Sequence, residues 1–385
     1  MLTWKPKANS RQIRQHPDTR ESHLVIYNNH GLRQHRDVTQ EEVGSSVVIS
    51  VFGDSYATNR NLPIQYGFTE TLDYLLNIES DHDNYLVLNF GVSGYGTDQE
   101  FIKYKTTPLA RHSAHVFYVL CGNDLGDIYN NGLFTNHNGK FFINGGDTLA
   151  QLPAKKPNEL KLFLQNFYLT YLILDAKSGF ETFYKPITQS YAFDTKQLRK
   201  DRKKRKKDGI AKQKNKKLGS NEFGHAARSM GIMNTILDQW RSEVEENGGV
   251  FHIIILPNRE AHNIAAHFSK ELTILDLYEV FTDEIKDYKW REMTFKNDGH
   301  WAEIGNMYAA IAIKQYLKNE ELDLNGIAET YSHLDCYYQA FGNQWRPKNL
   351  PQSEKCESSN MEWVRNRYIP LESTVFNTIP SPEVS

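Results

Sequence analysis

Cysteine is scarce in this sequence: Cys121, Cys336 and Cys356 are the whole supply. Three, so widely spaced, argue against a disulfide framework or a cysteine-built zinc site. Long apolar runs are missing too. No stretch approaches the 18 apolar residues of a membrane-spanning helix. The opening stretch MLTWKPKANSRQIRQHPDTR lacks the apolar core of a secretory signal, so a cytoplasmic location is expected. Charge of one sign is not in excess: 45 Lys and Arg meet 47 Asp and Glu, for a formal net charge of -2. No whole-molecule field selects nucleic acid or an anionic membrane, and no nucleic-acid partner is expected. The phosphate-cradling Gly-x-x-x-x-Gly-Lys-Ser/Thr loop and the His-Glu-x-x-His helix are absent as well.

What is present is enough for a full core. The chain has 385 residues, 39% hydrophobic and 12% aromatic, so one large domain or two ordinary ones fit. From residue 47 strand and helix patterns alternate. Short apolar runs predict strands at Val47–Phe52, Tyr85–Phe90, His115–Leu120, Val250–Leu256 and Thr273–Leu277. Such nearly continuous runs suit strands buried on both faces, as in a parallel sheet. Between them Phe68, Leu72, Leu75 and Leu76 share one helical face. Ala226, Met230, Met233, Leu237, Trp240 and Val244 make a second stripe, and Ile304, Met307, Tyr308 and Ile311 a third. These stripes read as core.

The remainder is less regular. Residues 1–44 read as a polar lead-in with one short strand at Leu24–Tyr27. Residues 125–224 read as an insertion, opening with a hairpin over LFTNHNGKFFI that turns at Asn138-Gly139. A helix follows, with Leu160, Leu164, Phe167, Tyr171 and Leu174 on one side. Residues 199–217 then carry 12 Lys and Arg against Asp201 and Asp208. A run like this is a solvated loop or a contact surface for an anionic partner. Placed after a strand end, the insertion is expected to lie over the sheet's crevice as a lid. Residues 321–385 hold Tyr331, Tyr337, Tyr338, Phe341, Trp345, Trp363 and Tyr368 without period, which reads as an irregular extension wrapping the domain that spans 45–320.

The chemistry concentrates at the predicted strand ends. VVISVFGDSYATN runs from an apolar strand into Gly53-Asp54-Ser55. In open α/β sheets ligands bind at the carboxyl ends of strands, so Ser55 is a candidate nucleophile; a simple helix cap is the alternative. The second strand ends in Gly91-Val92-Ser93-Gly94-Tyr95-Gly96, where backbone amides can approach a ligand. The third ends in Cys121-Gly122-Asn123-Asp124, and Asp298-Gly299-His300 precedes the last helical stripe. A serine hydroxyl needs an adjacent base, the imidazole needs a carboxylate partner, and a developing oxyanion needs fixed donors. The Ser55 N–H, the Gly94 N–H and the Asn123 amide are the candidate donors. Asp54 and Asp124 read as turn residues and Cys121 as a small buried hydrophobe. Gly91-Val92-Ser93-Gly94-Tyr95 breaks the Gly-x-Ser-x-Gly spacing of the α/β-hydrolase elbow.

Four blocks in this order resemble the SGNH, or GDSL-type, hydrolase superfamily: VFGDSYATN, NFGVSGYGT, CGND and DGHWAEIGN. The resemblance covers about 45–320 apart from most of the insertion. It implies a three-layer α/β/α sandwich with a parallel, flavodoxin-like sheet and no cofactor. It places the nucleophile at Ser55, oxyanion donors at Ser55, Gly94 and Asn123, the base at His300 and its orienting acid at Asp298. The implied activity is ester hydrolysis through an acyl-enzyme, on a small-molecule or glycan ester such as an O-acylated carbohydrate. Acyl transfer by the same groups, and a silent binding protein using the basic run, are the alternatives. Two departures matter. Cys121 stands where many relatives have glycine. Asn297 stands where many have the acid, leaving Asp298 two residues before the histidine.

Overall fold

A five-stranded parallel sheet forms the centre of the computed structural model. The structure describes residues 5–136, 149–151, 220–284 and 293–341, apart from 79, 81–83, 132, 321, 323 and 325–327, together with Cys356, Glu362, Val364 and Arg365. The strands are β3 (Val47–Gly53), β4 (Tyr85–Asn89), β5 (His115–Leu120), β8 (Val250–Ile255) and β9 (Thr273–Asp276). They lie in the order β4-β3-β5-β8-β9, with every neighbouring pair parallel. All five sit where the apolar runs predict, within a residue at each end.

Alternation along the strands builds two cores. On one face Ile49 and Val51 of β3 and Phe117 and Val119 of β5 pack with α3 (Phe68–Ile78) and α9 (Glu303–Leu317). On the other, Val48, Phe52, Val116, Tyr118 and Leu120 pack with α4 (Thr97–Thr106) and α6 (Ser220–Glu246). Trp240 of α6 is fully buried there, edge-on to Phe52 at 5.2 Å. Apolar area covered on both faces of the sheet is the main stabilising term, and the result is the expected three-layer α/β/α arrangement.

The strand order reverses direction between β3 and β5. The chain moves from β3 outward to β4, then returns past β3 to β5. A crevice opens at the carboxyl ends of strands at such a switch point. Ser55 opens α2 (Ser55–Thr58) directly after β3, and Asn123 precedes α5 (Asp124–Asn131) after β5.

The lead-in is more ordered than its sequence indicates. β1 (Ser10–Gln15) and β2 (Ser22–Tyr27) pair as an antiparallel hairpin, and α1 (Gln40–Ser45) starts with a capping box between Thr39 and Glu42. The β1 residues Arg11–Gln15 are exposed. The strand therefore has no buried face, and no alternation of polar and apolar residues to betray it.

The C-terminal part also departs from expectation. α10 (Ala328–Ala340) is a regular helix. Its Tyr337 meets Tyr74 of α3 at 4.5 Å between ring centroids, and its Tyr338 stacks on Tyr66 at 5.2 Å. Tyrosine rings supply its buried side, which disguises it from a count of aliphatic residues. Cys336 and Cys356, whose scatter argues against a disulfide framework, form one disulfide with a Cα–Cα distance of 5.2 Å. Spacing in sequence does not report where a returning chain places its thiols.

Residues 1–152 and 228–385 form one compact unit and residues 153–227 another. The second is described only from residue 220, at the start of α6. Within the expected insertion, β6 (Phe134–Asn136) pairs antiparallel with β7 (Leu149–Gln151). The turn at Asn138-Gly139, the helix over 160–174 and the basic run 199–217 lie outside the described residues, as do Trp345, Trp363 and Tyr368. No described helix is long and apolar enough to cross a membrane.

Candidate active site

Asp54 caps the helix that carries Ser55. Its Oδ1 accepts the Tyr56 N–H at 3.0 Å, and its carbonyl accepts from the Thr58 N–H and hydroxyl. α2 lasts one turn and stops at Asn59, whose backbone is left-handed with φ 51°. Behind it the chain after β4 comes very close. A Cβ on Gly91 would lie 2.6 Å from Thr58 N and 2.8 Å from Ala57 Cβ. Only a hydrogen fits in that space, so glycine lets the end of β4 and the Ser55 turn pack together.

His300 arrives from a tight loop before α9. The Phe295 N–H donates to the His300 carbonyl at 2.9 Å, and the Gly299 N–H to the Phe295 carbonyl at 3.1 Å. Gly299 has φ 89°. The loop is bolted to α2 by fully buried Asn306: its Oδ1 accepts from Asn59 Nδ2 at 2.5 Å, and its Nδ2 donates to the Trp301 and Ala302 carbonyls.

These two supports bring Ser55 and His300 together. His300 Nε2 and Ser55 Oγ are 2.7 Å apart. On its other side, His300 Nδ1 bonds Asp298 Oδ1, which also accepts the His300 N–H at 3.2 Å. Asp298 therefore faces the histidine, and Asn297 does not. Asn297 turns to Asp18 in the β1–β2 hairpin, donating its N–H and its Nδ2. The Tyr56 ring lies 4.8 Å from that of His300, with its hydroxyl donating to the Gly299 carbonyl at 3.1 Å.

The candidate donors Gly94 and Asn123 lie in the turns after β4 and β5. Gly94 sits in the turn closed by the Tyr95 N–H on the Val92 carbonyl, at φ 80°; its neighbour Ser93 lines the cavity in front of Ser55. Asn123 Nδ2 donates to Asp127 Oδ2 at 2.7 Å and reaches toward Asp54 Oδ2 at 3.4 Å. Both amide hydrogens therefore face carboxylates, one closely and one loosely.

Behind the strand ends lies a buried acidic group. Burial first, then repulsion from Asp124 and Asp54, holds Glu100 well above the ordinary carboxylate range, and burial, then Asp54, does the same for Asp124. Burial likewise raises Asp54. Lys103, the cation among them, donates to the Phe90 carbonyl at 2.6 Å and is brought down by burial to about 7. Cys121 is buried and its thiol pushed up by that burial, as a packing residue should be. The resemblance implies no cofactor. Among the described residues, His262, Asp276 and Glu279 place possible ligand atoms within 4.8 Å of one another, where His262 Nδ1 already meets Asp276 Oδ2 at 2.6 Å.

Several contributors had little sequence signal. Asp18 and Asp127 lie outside every quoted block, Tyr56 sits in VFGDSYATN without a role assigned to it, and Arg14 and Arg60 in the cavity wall are unremarkable in composition. Asn306 ends the DGHWAEIGN block, which is the only hint of its role.

No protein-family model and no curated protein matches the chain. Among solved structures, a lipolytic protein of the G-D-S-L family from Desulfitobacterium hafniense DCB-2 shares 10% identity. The match covers 71% of this chain and 99% of that one, with a TM-score of 0.36. A catalytic mutant of Axe2, an acetylxylan esterase from Geobacillus stearothermophilus, shares 12% over 72% of this chain and 97% of that one, with a TM-score of 0.34. TesA shares 12% over 71% and 99%, with a TM-score of 0.36. At this distance, the chain is similar to G-D-S-L proteins and an acetylxylan esterase.

Proposed function

We propose that this protein is a serine esterase that works through an acyl-enzyme. The observation that carries the reading is the chain Ser55 Oγ–His300 Nε2, His300 Nδ1–Asp298 Oδ1, at the switch point of the sheet. Ser55 Oγ attacks the ester carbonyl carbon while its proton passes to His300 Nε2. Asp298 holds the other ring proton on Nδ1 and stabilises the imidazolium. The oxyanion takes hydrogen bonds from the Ser55 and Gly94 N–H groups and from Asn123, donors whose removal typically costs about 2.7–4 kcal/mol each. His300 gives its proton to the departing alcohol. Water then loses a proton to His300 and attacks the acyl carbon, and Ser55 regains its proton as the acid leaves.

His300 and Asp298 are partly open to solvent, which supports water as the acceptor in the second half. An O-acyl group on a carbohydrate is the substrate class proposed. The test is Ser55→Ala against a small acyl ester such as p-nitrophenyl acetate. kcat should fall about a thousandfold or more with the fold intact, and a fluorophosphonate should label the parent at Ser55 and leave the variant unlabelled. Undiminished turnover by Ser55→Ala would overturn the assignment.

A further inference from the structure

The cavity in front of Ser55 has a volume of about 200 Å³, and two guanidinium groups belong to its wall along with His300. Arg14 comes from β1 and Arg60 from the residue after the α2 cap. Arg14 is exposed, whereas Arg60 is half-buried. Burial makes the Arg60 charge less favourable, the Tyr27 hydroxyl beside it helps, and Arg14 repels it. A third guanidinium lies beneath. Arg33 is buried, donating Nη2 to the Leu62 carbonyl at 2.8 Å, with Nε and Nη1 lacking hydrogen-bond partners.

The nearby carboxylates are already engaged. Asp298, also in the cavity wall, is held by the His300 ring and N–H. Glu70, which attracts Arg33, is bonded to His35 Nδ1 at 2.5 Å. Among the described residues, neither Arg14 nor Arg60 has an ion pair with Asp or Glu. A freely solvated arginine needs no partner. Two arginines in one cavity, one half out of water, are different: no carboxylate among the described residues pairs with either, and a bound anion offsets their repulsion. Guanidinium forks match carboxylate and phosphate oxygens in pairs.

We propose that this site takes anionic substrates: esters bearing a carboxylate or phosphate that Arg14 and Arg60 hold while the ester carbonyl faces Ser55. This rests on the esterase reading and narrows its substrate class: an O-acylated carbohydrate taken by this site would itself carry a carboxylate or phosphate. The anion serves as a handle that orients the ester at the serine, a gain that a neutral ester forgoes.

Matched ester pairs test it, and they locate the anion. 4-Acetoxybenzoate against its methyl ester places the charge on the alcohol side. Mono-(4-nitrophenyl) succinate against its methyl ester places it on the acyl side. The ratio of kcat/KM, charged over neutral, should reach about tenfold or more in one pair, shrink with added salt, and fall toward one in Arg14→Gln combined with Arg60→Gln. Arg14→Gln alone, at an exposed position, lowers the ratio in part and covers the case in which the double variant does not fold. A parent ratio of one or less in both pairs overturns the proposal, as does a ratio that survives loss of both arginines. Binding of 4-acetamidobenzoate against its methyl ester, followed by calorimetry, needs no turnover. Equal binding of the two overturns the anion site even if no ester is cleaved. Failure to cleave any neutral or charged ester, with the charged amide still preferred, overturns the esterase reading alone.

Discussion

Asp18 Oδ1 accepts both the backbone N–H and the side-chain Nδ2 of Asn297, each at 3.0 Å. Asp18 Oδ2 takes the Lys296 N–H at 2.9 Å. One carboxylate in the N-terminal hairpin thus grips the loop that ends in His300, across 279 residues of sequence. Beside it His16 reinforces the grip, meeting Glu303 at 3.2 Å and the Phe295 ring at 4.9 Å.

Asp18→Ala should therefore act on the loop and not on the core. We expect kcat to fall about tenfold or more, since a displacement of about 1 Å at a reacting group costs on that scale. KM and the far-UV spectrum should stay close to those of the parent. An unchanged kcat would show that the loop holds itself.

Asp298 and Asn297 make opposite predictions. Asp298→Asn should lower kcat by about 10⁴, because the wrong tautomer leaves His300 Nε2 unable to take the serine proton. Asn297→Ala loses one side-chain bond to Asp18 while keeping the backbone one, so kcat should stay within about threefold. Steady-state kinetics on the two variants side by side, with melting curves, checks the pair. A reversal of the two effects would make the Asn297 amide, and not the Asp298 carboxylate, the group that orients His300.

Gly91→Ala and Gly126→Ala should have opposite signs. The added methyl at 91 meets Thr58 N and Ala57 inside van der Waals contact. It should cost about 1–3 kcal/mol of stability and shift α2, lowering kcat as well. Gly126 lies in α5 with nothing near the added carbon, and alanine there should stabilise by up to about 1 kcal/mol. Thermal unfolding of both reads the contrast.

Asp98 gives a pH prediction. Burial raises its carboxyl from 3.8 to about 6, although Asn131 and the Gln99 N–H donate to Oδ1. Below pH 4 both folded and unfolded chains keep the proton. Between about 4 and 6 the unfolded chain releases it first, the folded chain binds more protons, and stability falls as pH rises. The shift of about two units corresponds to roughly 3 kcal/mol at most. Asp98→Asn removes this contribution. Urea midpoints for parent and variant at pH 4 and pH 7 should therefore converge at the acid end and separate above it, the variant being more stable. Parallel curves would place the Asp98 carboxyl near its ordinary value.

The sheet was legible because each strand is a short apolar run that the core covers on both faces, as at Val47–Gly53 and Val250–Ile255. Ser55, Asn123 and His300 stood out as candidates because each sits at a boundary between a polar turn and a strand or helix, and the structure brings Ser55 and His300 within 2.7 Å. What stayed hidden has a common cause. Asp18, Asn306 and Arg60 act through contacts between segments far apart in sequence. A hairpin of exposed residues such as Arg11–Gln15 carries no pattern to announce it. The Cys336–Cys356 pair likewise depends on where the chain returns and not on spacing.

The 2.7 Å bond from Asn123 to Asp127 settles a choice that every asparagine has. An amide turned end over end looks almost the same in shape but exchanges a donor for an acceptor. Here the reversed form would press Oδ1 against the Asp127 carboxylate, oxygen against oxygen. Asn123 is thereby locked in a single sense, its second N–H always directed at the end of β3 beside Asp54 and Ser55. In the proposed reaction an anion forming at that spot meets this hydrogen in competition with Asp54 Oδ2, which the amide reaches loosely at 3.4 Å. The polarity of this corner of the cleft is set by an acid that need not touch the substrate at all.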